Sequence, residues 1–188
     1  PELQEAINKL QDAMKNNSLE DTIEALENYE FNLEKFEEQI DRFIDMFELA
    51  IAEQKLNEIS EYLENMINKQ NDLINELINN DNIDFLNKKS SKQENRFSSF
   101  QSLLNEAESL IENISVEVSQ EINNLINDSI MDNTQNLLND QTKSIISSNK
   151  KKSVSLSNQT NKNLLSMLDY IEQIKKQFND ENKEKLSK

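Results

Sequence analysis

The sequence predicts an all-α protein, and three observations carry that expectation. Glycine is absent from all 188 residues, where ordinary usage would place roughly 13. The one proline is Pro1, a residue tolerated at the start of a helix. Apolar residues recur at steps of three and four along most of the chain, the spacing of a helix face. Strand hairpins, phosphate-cradling loops and dinucleotide turns all lean on glycine for positive φ or close backbone approach. A hydrophobic fraction of 35% beside a charged fraction of 30% is low for a compact globule and ample for long helices that bury one face. The architecture expected is therefore an elongated antiparallel helical hairpin or coiled-coil bundle with short terminal helices.

The first helix is expected over about residues 2 to 15, on Leu3, Ile7, Leu10 and Met14. Asn16, Asn17 and Ser18 stop it, and Ser18 is placed to cap the next helix, with Asp21 reaching back in a capping-box-like pair. A long helix follows from about 19 to 79, which would span roughly 90 Å if straight. Its stripe runs Leu26, Leu33, Ile40 and Phe47 in one heptad position and Tyr29, Phe36, Phe43 and Ala50 in the other. It resumes as Leu56, Ile59, Leu63, Met66, Leu73 and Leu77. The nine-residue step from Phe47 to Leu56 cannot keep a 3.5-residue repeat, so local unwinding or a change of partner is expected there.

A reversal is expected near 80–92, where Asn79, Asn80, Asp81 and Asn82 precede Lys88, Lys89, Ser90, Ser91 and Lys92. A third helix then reads from about 93 to 139 on Phe97, Phe100, Leu104, Ala107, Ile111, Ile114 and Val118, less cleanly through Ile122, Leu125, Ile126 and Ile130. Together these make residues 1–140 an acidic long-helix hairpin. Residues 141–162, with Lys150, Lys151 and Lys152 near their centre, read as a polar linker or frayed helix. Leu164, Leu168, Ile171, Ile174 and Phe178 give a short C-terminal amphipathic helix over 163–180.

Charge separates the two parts of the chain. Of 36 acidic and 20 basic side chains, residues 1–86 hold 22 and 6, and residues 87–188 hold 14 of each. The whole net charge of −16 therefore lies in the first part. No apolar run approaches the 18 or more residues of a membrane span, and no stretch resembles a signal peptide. The chain opens on Pro1 without a methionine, which reads as a piece of a longer protein.

Composition removes most catalytic chemistry. Histidine and cysteine are absent, and with them the imidazole base, the thiolate, the disulfide and the usual zinc site. Carboxylate pairs such as Glu37 with Asp41, or Glu61 with Glu64, lack the histidines of a helical dimetal site and read as solvated polar faces. Asn80, Asn82 and Asp84 match the first, third and fifth positions of a calcium loop, but Phe85 stands at its glycine and Ser91 at its closing glutamate. A turn is the better reading. Asn-x-Ser/Thr triplets begin at Asn16, Asn113, Asn127 and Asn158, about as many as the asparagine content yields by chance. No enzyme, cofactor or metal is expected. The triple lysine is a weak footprint in so acidic a chain, and no aromatic between Phe100 and Tyr170 is available to stack a base, so nucleic acid is not an expected partner. Nor is direct membrane insertion, since the last helix with Lys175 and Lys176 lacks the wide apolar face and cationic excess of a surface-lying helix.

Candidate interaction residues are Phe31, Phe36, Phe43 and Phe47, with Leu168 and Ile171 on the last helix. Phe36, Phe43 and Phe47 lie on the heptad stripe and are expected to face the third helix. Phe31 is off the stripe and better suited to an external contact.

The stretches FEEQIDR at 36–42, MFELAIAEQKL at 46–56 and NKQNDL at 68–73 resemble segments of large bacterial envelope proteins of the DUF4175 kind. The resemblance covers residues 1–80. It implies a long, Glu/Gln-rich helical extramembrane region of unknown function and an extracytoplasmic or envelope-associated location, and it carries over no functional residue. The function expected is a non-enzymatic coiled-coil scaffold or spacer that binds a helical protein or a second copy of itself. The alternative is a helical bundle holding cargo or a small ligand in a cavity around Phe47 to Leu56.

Overall fold

The computed structural model describes residues 2–15 and 19–186, and the side chains of these except at 19 and 184–186. The stop at Asn16 and Asn17 and the cap expected of Ser18 lie outside the described residues. The described secondary structure is entirely helical, so the protein is all-α: α1 (Glu2–Lys15), α2 (Leu19–Asn79), α3 (Ile83–Ile111), α4 (Val116–Ile126), α5 (Ser129–Ile146) and α6 (Lys150–Leu186). The chain forms two compact units, residues 1–48 and 49–188. The first holds α1 and the beginning of α2, and the second holds the rest.

In the first unit α1 buries Ala6 and Ala13 and half-buries Leu3, Ile7 and Leu10. Lys9 and Ala13 of α1 line a shallow groove with Asp21, Glu24, Ala25 and Asn28 of α2. Along α2, Ala25, Tyr29 and Leu33 are half-buried. Leu26, on the same stretch, is exposed, so the early stripe of α2 is only partly covered.

The second unit is a bundle with four legs. They are residues 49–79 of α2, then α3, then α4 and α5 in succession, then α6. Side-chain pairs give the directions. Along α2 and α3, Lys55 meets Glu106, Gln93 reaches the Met66 carbonyl and Gln70, and Lys89 meets Glu76. As one number rises the other falls, so the legs are antiparallel. Ser60 with Glu172, Gln70 with the Ser157 carbonyl and Asn71 with Asn161 set α6 antiparallel to α2. Glu121 with Tyr170 and Ser144 with Ser153 set it antiparallel to α4 and α5. Successive neighbours joined by short turns give an up-down-up-down order.

Each turn is capped by a short polar side chain in place of glycine. Asn82 Oδ1 accepts from the Phe85 amide at 3.0 Å, Ser115 Oγ from Val118 at 3.2 Å, and Asp128 Oδ1 from Ile130 at 2.7 Å. These satisfy amides that helix N-termini leave free. Between α5 and α6, Ser148 adopts φ 58°, the left-handed region a glycine would normally fill. The Asn149 amide then donates to the Ser144 carbonyl at 2.9 Å.

The buried positions advance by threes and fours without a gap. In α2 they are Leu49, Ala52, Leu56, Ile59, Leu63, Met66, Gln70, Leu73 and Leu77. In α3 they are Leu86, Ser90, Gln93, Phe97, Phe100, Leu104, Ala107 and Ile111, and in α6 Ser153, Ser157, Thr160, Leu164, Met167, Ile171, Ile174 and Phe178. One cluster, from Leu49 through Phe97 and Phe100 to Phe178, fills most of the bundle. A smaller one, Leu73, Leu77, Leu86 and Ile145, closes the end nearest the α2–α3 turn.

Three expectations are corrected here. The reversal occupies only residues 80–82, and Lys88 to Lys92 lie within α3, because Asn82 caps the helix at once. The single third helix over 93–139 is instead α3, α4 and part of α5, interrupted at Ser115 and Asp128, where polar caps start new helices. Residues 141–162 are not a linker: α5 runs to Ile146 and α6 begins at Lys150, so the short helix of 163–180 is part of a 37-residue one. Serine, threonine and glutamine occupy core positions there, so a pattern read from apolar residues alone fades while the helix continues.

Candidate interaction face on the first part of α2

Every residue from Glu34 to Glu48 is exposed, although all of them are helical. Three residues past the last half-buried position of the stripe, Leu33, the run of Phe36, Ile40, Phe43 and Phe47 begins, with Ile44 and Met46 beside it, all exposed. Phe43 and Phe47 are 72% and 69% exposed, whereas Phe97 and Phe100 of α3 are at 0%. The expectation that Phe36, Phe43 and Phe47 are covered by the third helix is therefore corrected. Nine residues from Phe47 to Leu56 make two and a half helical turns, so α2 changes the face it buries at the register slip. The helix itself is unbroken. The residues that α3 does bury with, such as Leu56, Ile59 and Leu63, belong to the later face.

The other predicted residues divide. Phe31 is exposed and lies apart from the stripe, with Lys35 Nζ 4.7 Å from the centre of its ring. Ile171 is buried in the bundle core and Leu168 packs against that core, so neither offers a docking surface. Their 3-and-4 spacing belongs to an internal helix face.

Carboxylates far outnumber cations on this part of α2. Residues 20–48 carry eleven carboxylates, from Glu20 to Glu48, against Lys35 and Arg42. Among the described residues, Glu34, Glu37, Glu38, Asp41, Asp45 and Glu48 form no ion pair, while Lys55, Lys89, Lys150 and Lys175 of the second unit each hold a carboxylate. Placed at 100° per residue, Ile44 and Met46 flank the Phe36–Phe47 stripe, with Glu37 next to Ile44 and Glu48 and Asp41 farther round the same side, and Gln39 and Arg42 on the other side.

A second feature was hidden from a hydropathy reading. Across the middle of the bundle lies a buried polar layer with members from every leg. Gln93 Nε2 donates to Gln70 Oε1 at 3.0 Å, Gln70 Nε2 to Gln141 Oε1 at 2.7 Å, and Gln141 Nε2 to Ser90 Oγ at 2.8 Å. Ser157 Oγ donates to Gln141 Oε1 at 2.7 Å. These side chains are at most 1% exposed. Their signal in the sequence is position: each continues the 3-and-4 spacing of its leg. A satisfied layer of this kind fixes which residues lie level with one another, because sliding any leg by a turn would leave amides unpaired in the core.

Titration shifts are local. A hydrogen bond to Glu121, aided by partial burial, pushes the Tyr170 phenol up to about 12. Hydrogen bonds from Ser60 and then Lys175 hold the Glu172 carboxyl below its ordinary 4.5, and Lys89 and then Asn80 do the same for Glu76. Each joins two legs or two neighbouring turns and has the character of a structural contact. Among the described residues no group of three or more acidic side chains is placed to hold a metal ion, and no helix is long and apolar enough to cross a membrane. A cleft of about 200 Å³ opens at the end of the bundle between Leu77, Leu86 and Ile145, with Asp81 and Lys150 at its rim. That is smaller than the roughly 300–1,000 Å³ of a drug-sized ligand site. It also lies away from Phe47 to Leu56, where the alternative ligand-binding reading places its cavity.

Comparison with protein-family models, curated proteins and solved structures finds no match to this chain.

Proposed function

We propose that this chain is a non-enzymatic helical scaffold whose second unit is a stable base and whose first unit presents a docking face for a helical protein. The observation that carries this reading is the exposure of every residue from Glu34 to Glu48, with Phe36, Ile40, Phe43 and Phe47 on one side. An isolated helix of about 15 residues is marginal in water, and a contiguous apolar face on a soluble protein marks an interaction site. A partner helix laid along the stripe would bury that face as α1 shields the preceding turns. This is a coiled-coil-like use of a heptad repeat, and it suits an extramembrane region of an envelope protein, the setting that the resemblance of residues 1–80 implies.

Hydrogen exchange of the full chain, with and without designed amphipathic helical peptides, tests the reading. Amides of residues 34–48 are expected to exchange more slowly when a peptide is bound and to be unaffected in the Phe36→Ser/Phe43→Ser/Phe47→Ser variant. Unchanged exchange with every peptide, or equal protection in the variant, would sink it.

A further inference from the structure

The docking face has a composition that specifies more than "a helix". Between Glu34 and Glu48 there are six carboxylates and two cations, Lys35 and Arg42, and Lys35 already lies over the Phe31 ring. The carboxylates are exposed and, among the described residues, in no ion pair, and Glu37, Glu48 and Asp41 lie on the same side of the stripe, Glu37 nearest to it. From these observations we infer that the occupant of the Phe36–Phe47 stripe is a cationic amphipathic helix of another protein, about four turns long, with Lys or Arg flanking its apolar positions. This rests on the docking reading above and names the partner's chemistry.

Three arguments lead there. The first is length: half-buried stripe positions end at Leu33, and the bare part from Glu34 to Glu48 is 15 residues, about 22 Å at 1.5 Å per residue. A helix of about four turns spans it. The second is charge complementarity. A second copy would bring the same acidic edge to the interface, and like charges placed face to face cost affinity. A cationic helix would instead meet Glu37, Asp41 and Glu48 with its flanking side chains while their aliphatic stems cover Ile40 and Ile44. The third is contrast within the chain. Residues 87–188 carry 14 acids and 14 bases, and each leg of the bundle has at least one lysine in an ion pair. From Glu34 to Glu48 six carboxylates face two cations, and among the described residues none of the six is in an ion pair.

The test uses the full chain and three labelled peptides of about 18 residues that share one apolar stripe and carry lysine, glutamine or glutamate at the flanking positions. Fluorescence anisotropy reads affinity at low and at raised salt. The lysine peptide is expected to bind about tenfold or more tightly than the glutamine peptide, the glutamate peptide most weakly, and the gap to shrink as salt screens the flanks. Glu37→Gln/Asp41→Asn/Glu48→Gln should bring the lysine and glutamine peptides together while leaving glutamine-peptide binding unchanged. These side chains are exposed, so circular dichroism should show both sets of variants folded. Equal affinity for the lysine and glutamine peptides overturns the cationic partner and leaves the docking reading standing. Loss of all binding, or lysine-peptide binding that survives Phe36→Ser/Phe43→Ser/Phe47→Ser, overturns both. A dimer in light scattering that dissolves in that phenylalanine variant overturns the inference in favour of a second copy.

Discussion

The two parts of α2 carry the same kind of repeat and use it in opposite ways. From Leu49 to Leu77 every third or fourth residue is buried, whereas from Glu34 to Glu48 none is. The earlier part is no poorer in apolar residues: it holds three phenylalanines on the stripe, and the later part holds none on its buried face. What distinguishes them is what the rest of the chain supplies. The later part has three further legs to pack on, two of them antiparallel to it, and among the described residues the earlier part has the 14 residues of α1. A heptad stripe states that a helix needs a partner and is silent about which one. Charge is the second difference: Glu58, Asp72 and Glu76 of the later part each hold a lysine, whereas among the described residues no carboxylate from Glu34 to Glu48 does.

The sharpest way to break the comparison is to truncate one aromatic from each part. Phe100→Ala is expected to cost the bundle about 3–5 kcal/mol through lost contact and the cavity left behind, whereas Phe43→Ala should change its stability by less than about 0.5 kcal/mol. Urea unfolding followed by circular dichroism measures both, and a comparable loss from the two substitutions would show that Phe43 is not exposed in solution. The polar layer should come next in size. Gln141→Ala removes the acceptor of Gln70 and Ser157 and the donor to Ser90, so a loss of about 1–3 kcal/mol is expected. A neutral result would mean that water satisfies the layer and that it does not fix the register.

A gain sharpens the same contrast. Ser148→Gly relieves a left-handed backbone and should raise stability by about 0.5–1 kcal/mol, confined to the bundle. A destabilised Ser148→Gly variant would contradict the φ of this turn. The smallest effect concerns pH. Glu172 has a depressed folded-state pKa, first through Ser60 and then through Lys175. The contribution of a group with a lowered carboxyl pKa is fully present above its unfolded value near 4.5 and is lost as pH falls through the lower folded value. Glu172 is about half exposed, so solvent screens the pair and the effect on stability is small. Ser60→Ala should let the Glu172 carboxyl titrate closer to 4.5 in a carbon-detected NMR titration, and an unmoved titration would show that Ser60 does not hold it.

Helix content, the exact span of the first long helix and the turn after Asn79 were all legible in the sequence. The absence of glycine and the spacing of Leu56, Ile59, Leu63 and Met66 need nothing beyond local geometry to be read. The register slip after Phe47 was legible too, and its meaning was not. That step turns α2 by two and a half turns, and only the packed structure tells which of the two faces finds neighbours. The first turns of the bundle's fourth leg, before residue 163, were missed for a related reason. Ser153, Ser157 and Thr160 keep the spacing of Leu164, Met167 and Ile171, but a hydroxyl counts as surface until its hydrogen-bond partners are known.

By itself, then, the sequence determined that this chain is helical, where its apolar stripes run and that its charge is concentrated in the first part. Backbone propensity and residue spacing are properties of neighbours along the chain, and they need no fold to act. Only the tertiary structure decided that Gln70, Gln93, Gln141 and Ser157 form a core layer and that Phe36, Phe43 and Phe47 are left bare. Burial depends on what residues distant in sequence bring to the same place, and in this molecule they bring three legs to one part of α2 and a single short helix to the other.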